Sequence, residues 1–311
     1  GTRRFRRLSK DSFSRKPPRG IPNLHAYSFL KMGNTNICIR NKELLSQVDK
    51  TRPAFEFMPG FMSDEHRRII LDSTALNEDP SSKHFAKRLK AIRFCMVING
   101  RVQPFSQNYF VQNASYNDFS GGYKRHYTLI PEDVCEGPLA EYILKFACYY
   151  GIPEKTVILV QMQTSCIKSL TRETITGQGI HTDGADRAIL ICLHRGQHVE
   201  GALNQFHKAL DGSMPLCEPK ALGLGEAVAF KDNEIYHYVT PGNKSRVKEN
   251  EQEDATRTII LMHSPADAYM RGLPNESNLL GANPFSVKLR DEAENQVVGR
   301  TATVENACDH I

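Results

Sequence analysis

His181 and Asp183 stand two residues apart in the glycine-bounded stretch GQGIHTDGAD, which leads into the apolar run Ala188 to Leu193. Side chains on a strand alternate, so residues two apart point the same way and can reach one ion together. Alone, such a pair is equally readable as a polar turn. The best candidate for a third ligand is His237 in FKDNEIYHYVTPG, another β-prone segment 54 residues after Asp183. That separation corresponds to several strands, enough to bring the chain back to the mouth of a barrel. Two imidazoles and a carboxylate on one face of an ion leave three positions open, an arrangement suited to non-haem Fe(II) oxygen chemistry. Arg257 follows 20 residues later in ATRTIILMH. Its guanidinium can grip a carboxylate in bidentate fashion, which a lysine does not reproduce.

The remaining histidines fit blander roles. His194 and His198 lie four apart, but His194 ends an apolar strand and no acid is spaced to complete a ligand set. They read as a strand end and a loop. His207 and His263 read as satisfied sheet residues. Asp232 and Asn233 look like turn residues that set up the strand carrying His237, rather than ligands.

The elements that must position these groups are mostly strands. From Thr156 onward short β-prone runs (TVILVQMQ, AILICLH, ALNQFH, GEAVAF, EIYHYV and RTIILMH) alternate with turn residues. Strands of this length predict a mainly β, α+β chain with a closed or double-sheet antiparallel core of the jelly-roll kind. No parallel βαβ rhythm and no phosphate-binding glycine motif is present. Upstream, Ser63 before Asp64 and Glu65 predicts a helix start. A second helix is predicted over about Ser82 to Ile92 and a third from Pro131 to Tyr150, stopped by Gly151 and Pro153. Gly33-Asn34 predicts a two-residue hairpin turn between AYSFLKM and TNICIR. Residues 242 to 255, almost wholly polar, predict a solvated loop.

A chain of 311 residues can bury a substantial core, and no apolar run approaches the length needed to cross a bilayer. The net charge of +5 is not spread evenly. Residues 1 to 20 carry eight Lys or Arg against one Asp, and the remainder is slightly acidic at −2. The usual inference from a basic chain to a nucleic-acid partner therefore loses most of its force for the body. We expect a disordered basic leader over 1–20, readable as the remnant of an organelle-targeting segment, then one domain over 21–311 with its jelly-roll core at about 105–265. Eight scattered Cys without a CxxC pair suggest free thiols in a reducing, intracellular compartment, cytoplasmic or organellar.

The stretches HTDGADRAILICLHRGQHVEGA, EAVAFKDNEIYHYVTPG and ATRTIILMH resemble Fe(II)/2-oxoglutarate-dependent dioxygenases, in particular bacterial hydroxylases of free amino acids such as isoleucine. SGGYKRHYTLIP resembles that family's Gly-Gly-x-x-Arg segment, and VEGA stands where a second Gly-Gly is usual. The similarity spans roughly Ser115 to His263. It implies a double-stranded β-helix, His181, Asp183 and His237 as iron ligands, Arg257 as partner of the distal carboxylate of 2-oxoglutarate, and dioxygen as co-substrate. Ala202 replaces the second glycine. Many relatives place a hydroxyl residue two positions after the Arg, where this chain has Ile259, so either a hydroxyl from elsewhere helps or Arg257 acts alone.

An amino-acid-like substrate needs a fixed partner for its carboxylate, for which Arg125 is the candidate, with Tyr123 and His126 lining the same cavity. The implied reaction is oxidation of an unactivated C–H bond, hydroxylation foremost, with decarboxylation of 2-oxoglutarate to succinate. The arginine-rich leader and the unmatched first hundred residues suggest a eukaryotic biosynthetic enzyme. Ring closure or desaturation of an N-substituted amino acid, as in kainoid-forming cyclases, is the alternative. A non-catalytic cupin-like metal-binding protein is the rival of another class. Neither nucleic acid nor membrane is expected as a partner.

Overall fold

The computed structural model describes residues 42–82, 86–117, 120–246 and 255–271. The basic leader, the hairpin turn at Gly33-Asn34 and residues 247–254 of the charged loop lie outside them. The helices are α1 (Lys42–Thr51), α2 (Asp64–Ser73), α3 (Glu132–Glu136), α4 (Ala140–Tyr150) and α5 (Asp267–Arg271). The strands are β1 (Phe55–Met58), β2 (Asn77–Glu78), β3 (Lys87–Ile98), β4 (Arg101–Pro104), β5 (Tyr109–Phe110), β6 (Arg125–His126), β7 (Thr128–Leu129) and β8 (Ile158–Cys166). They continue with β9 (Arg187–Arg195), β10 (Val199–Gly201), β11 (Asn204–His207), β12 (Ala227–Phe230), β13 (Tyr236–Val239), β14 (Gly242–Lys244) and β15 (Thr256–Ser264).

A nine-stranded sheet runs in the order β1-β12-β9-β15-β8-β3-β2, with β4 and β7 also paired to β3. Period-two alternation gives this sheet two unlike faces. Val160, Met162, Ile191, Ile260 and Met262 point to one side and pack with Tyr142, Ile143 and Phe146 of α4 in the main core. Their neighbours Gln161, Gln163, Leu190, Arg257, Ile259 and His263 point to the other side and line a cavity. Across that cavity stands the short antiparallel pair of β11 with β13, which with the pair of β10 and β14 lies outside the large sheet, as in a double-stranded β-helix. The jelly-roll expectation holds.

Local signals explain the helix ends. Ser63 caps α2, its Oγ accepting from the His66 backbone N–H at 3.2 Å. The single helix expected over Pro131 to Tyr150 is two, α3 and α4, separated at Gly137. Gly151 closes α4 with φ 62°, a left-handed stop that glycine adopts without steric cost.

One expectation fails outright. Most of the stretch expected as a helix from Ser82 to Ile92 belongs to β3, which pairs along its length with β8 and on its other edge with β2, β4 and β7. Lys, Leu, Arg and Ala favour helices only weakly, and two flanking ladders override that preference. Arg88 and Lys90, which mimic the polar face of a helix, face the cavity instead. The polar stretch from residue 242 also begins as a strand, β14, before it leaves the sheet. Cys95, Cys135, Cys148, Cys166, Cys192 and Cys217 are free thiols, as expected.

Candidate metal centre and cavity

His181 and His237 face each other across an antiparallel bridge, their backbones exchanging N–H···O bonds of 3.0 and 2.9 Å. The imidazoles lie side by side with ring centres 4.2 Å apart. Asp183 completes the group. Its Oδ1 is 3.6 Å from His181 Nε2 and its Oδ2 is 3.5 Å from His237 Nε2. One ligand atom from each of the three lies within 4.8 Å of the others.

The donor set fits a metal. His181 Nδ1 is 2.8 Å from the Gly179 carbonyl oxygen, so that nitrogen carries the proton and the Nε2 lone pair faces the site. His237 Nδ1 stands 3.1 Å from Asp232 Oδ1, without the alignment of a good hydrogen bond. A carboxylate behind a ligating imidazole is a recurrent means of orienting the ring. Asp232 is fully buried, and its Oδ2 accepts from the backbone N–H groups of Asp183, Gly184 and Ala185 at 2.9, 3.0 and 3.2 Å. Gly184 adopts φ 90°, and a Cβ there would fall 2.6 Å from the Tyr116 ring, so the turn after Asp183 is built for glycine.

The ionisation of Asp183 and His237 is set by their neighbours. Burial disfavours charge on Asp183, but the surrounding His263, His181 and His237 outweigh it and hold the carboxyl well below its usual range. Burial likewise opposes charge on His237, and Asp183 and Asp232 push its pKa up to about 10. A divalent ion would relieve this clustering by taking the place of the protons.

His263 is more than a satisfied sheet residue. Its Nε2 is 3.0 Å from Asp183 Oδ2 and its Nδ1 is 3.0 Å from Gln161 Nε2. The Tyr269 hydroxyl donates to the Asp183 carbonyl at 2.5 Å, and Gln112 Nε2 donates to the same oxygen at 3.0 Å. His207, on β11, is buried with neither ring nitrogen hydrogen-bonded among the described residues. His194 is the last residue but one of β9 and His198 follows in the turn, in keeping with the strand end and loop read from the sequence.

The cavity that begins at the triad encloses about 1000 Å³ of empty space including its mouth. Arg257 reaches it from β15, 4% exposed, donating through Nη2 to Asn204 Oδ1 at 3.1 Å. Burial lowers its pKa to about 10, leaving it cationic at neutral pH. The side chain beside it is thus the amide of Asn204, while Ile259 supplies only apolar wall. Arg125 also lines the cavity and is 3% exposed.

Tyr123 and His126 are not brought to the cavity. Tyr123 is 47% exposed, and His126, next to Arg125 on β6, points to the opposite side and packs against Tyr109.

The family model for 2OG-Fe dioxygenases matches residues 72–263, more than half of the chain. This chain belongs to the 2OG-Fe dioxygenase family. It is therefore an enzyme that uses Fe(II), 2-oxoglutarate and dioxygen. The match begins well upstream of the stretch legible as a resemblance and takes in β3. No curated protein matches the dioxygenase chain.

Among solved structures, the protein named IDO from Bacillus thuringiensis aligns with a TM-score of 0.52 at 14% identity, over 71% of this chain and 93% of its own. A bsmA homolog from Methylobium petroleophilum PM1 aligns with a TM-score of 0.52 at 14% identity, over 71% and 85%. Identities this low speak to the fold alone. Among the described residues no helix of the dioxygenase is long and apolar enough to cross a membrane.

Proposed function

We propose that this dioxygenase oxidises an unactivated C–H bond of a small amino-acid-like acid, inserting a hydroxyl group, while 2-oxoglutarate is decarboxylated to succinate. His181, Asp183 and His237 would hold the iron, and Arg257 the distal carboxylate of 2-oxoglutarate. Bound iron, with 2-oxoglutarate and dioxygen, supplies the oxidising power. The chain's own task is to fix which C–H bond lies nearest and to keep other reductants out.

Arg125 carries the substrate reading. It is buried in the cavity wall, its Nε has no partner among the described residues, and its only side-chain hydrogen bond is a long one, 3.4 Å from Nη2 to Gln112 Oε1. An unpaired guanidinium there is costly unless a ligand supplies the anion. The test is a screen of amino acids and their N-substituted derivatives for coupled succinate release, followed by product mass. A product one oxygen heavier marks hydroxylation. One lighter by two hydrogens marks ring closure or desaturation and replaces the first reading. Stimulation by peptides or oligonucleotides, and not by small acids, would refute the substrate class.

A further inference from the structure

The wall of the cavity formed by β3 and β6 holds more positive charge than one substrate carboxylate can answer. Arg88 and Lys90 occupy same-side positions on β3 and both line the cavity, as does Arg125. Arg88 is balanced, since its Nε lies 2.6 Å from Oδ2 of the buried Asp79. Lys90 is 5% exposed, and among the described residues its ammonium meets only the rings of Phe110 and Tyr127, at 5.1 and 5.2 Å. Arg125 stands against the same Phe110 ring, its Cζ 4.5 Å from the centre. Neither side chain has a carboxylate within ion-pair distance among the described residues, and Arg125 disfavours the charge of Lys90.

Charge elsewhere in the cavity is already matched. Asp183 is the only carboxylate among the described residues that line it. Together with doubly charged 2-oxoglutarate it would offset a ferrous ion and Arg257, so the metal side is neutral when loaded. Two buried basic side chains, Arg125 and Lys90, are left over, and an anion beside each would favour its charged form.

We infer that the substrate carries two acidic groups, one held by Arg125 and the second by Lys90. This rests on the reading of Arg125 as the partner of the carboxylate common to amino-acid-like substrates. The second group is a carboxylate or a phosphate, and both offer the anionic oxygens that an ammonium on a ring-lined wall can bind.

The experiment is anaerobic calorimetric titration of the Fe(II)- and 2-oxoglutarate-loaded enzyme with two matched pairs, L-glutamate against L-glutamine and O-phospho-L-serine against L-serine. In the wild type the two-acid member of at least one pair should bind about ten-fold tighter or better. The favoured pair identifies the second group. Lys90→Met should reduce that preference to near unity, and Lys90→Arg should restore it. Equal or weaker binding of the two-acid members in both pairs overturns the inference, and so does binding by none of the four compounds. A preference that survives in Lys90→Met overturns the assignment to Lys90. The wild-type comparison needs no variant, so a misfolded Lys90→Met does not rescue the idea. Arg125→Met should weaken both members of a pair alike. If it changes neither, the reading of Arg125 fails, while the preference read at Lys90 is still decided separately.

Discussion

Asp232 is a residue whose two oxygens serve different partners. Oδ2 gathers three successive backbone N–H groups and so fixes the turn that aims Asp183, while Oδ1 lies behind His237 Nδ1. In Asp232→Asn the oxygen can keep the backbone bonds, but the new amide donates to His237 Nδ1. That forces the imidazole proton onto Nε2, the nitrogen that faces Asp183, where it blocks coordination. We expect the fold to persist and the Fe(II) concentration needed for half-maximal succinate formation to rise by about 10- to 100-fold. An unchanged iron requirement would show that Asp232 shapes only the turn. His181, Asp183 and His237 were legible from type and spacing because strand alternation is a local rule. Asp232 was legible only as a turn residue, because the backbone groups that its Oδ2 holds lie almost fifty positions away and no local pattern announces them.

At the scale of elements, the site depends on turns as much as on strands. Gly201 ends β10 with φ 67°, and a Cβ there would sit 2.3 Å from the Pro241 carbonyl oxygen. Ala202 follows with φ 50°, so the motif's second position keeps a left-handed backbone even though it has lost its glycine. Only one of the two positions tolerates a methyl group. The turn leads directly into β11, whose first residue, Asn204, holds Arg257. Gly201→Ala should therefore cost about 2–4 kcal/mol in denaturant unfolding, through left-handed strain plus the clash. It should also raise the KM for 2-oxoglutarate more than it lowers kcat. Wild-type stability in that variant would mean the β10–β14 pair yields freely. The later strands were readable because apolar runs of strand length alternate with turn residues. β3 reads as a helix in sequence because its cavity face is charged, so KRLKAI offers the mixed polar and apolar pattern of a helix. Only its pairing with β8 on one edge and three short strands on the other reveals the alternation. With β3 taken for a helix, Arg88 and Lys90 could not be placed in the site.

For the molecule as a whole, the slightly acidic balance of the chain beyond its basic leader conceals a concentration of cations in one cavity. Folding must bury that charge before any ligand answers it. The groups acting on Lys90 are Asp79 and Asp183, which favour its charge, and Arg88 and Arg125, which oppose it, with Phe110 and Tyr127 as its ring walls. Burial dominates and lowers its pKa from 10.5 to about 7. The unfolded chain keeps this proton up to its ordinary pKa, whereas the folded chain releases it near pH 7. Between those values the unfolded state binds more protons, so this residue makes stability rise with pH, and below pH 7 the folded protein bears the full cost of a buried ammonium. Lys90→Met removes that cost at every pH. The variant should therefore exceed the ligand-free wild type in unfolding free energy by the widest margin near pH 6, with the margin shrinking steadily toward pH 10. Any packing gain from the methionine adds equally across the range and cancels in the comparison between the two pH values. Urea unfolding of both proteins at pH 6 and pH 9 measures the difference, and a margin independent of pH would mean that the Lys90 ammonium is already matched in the free enzyme.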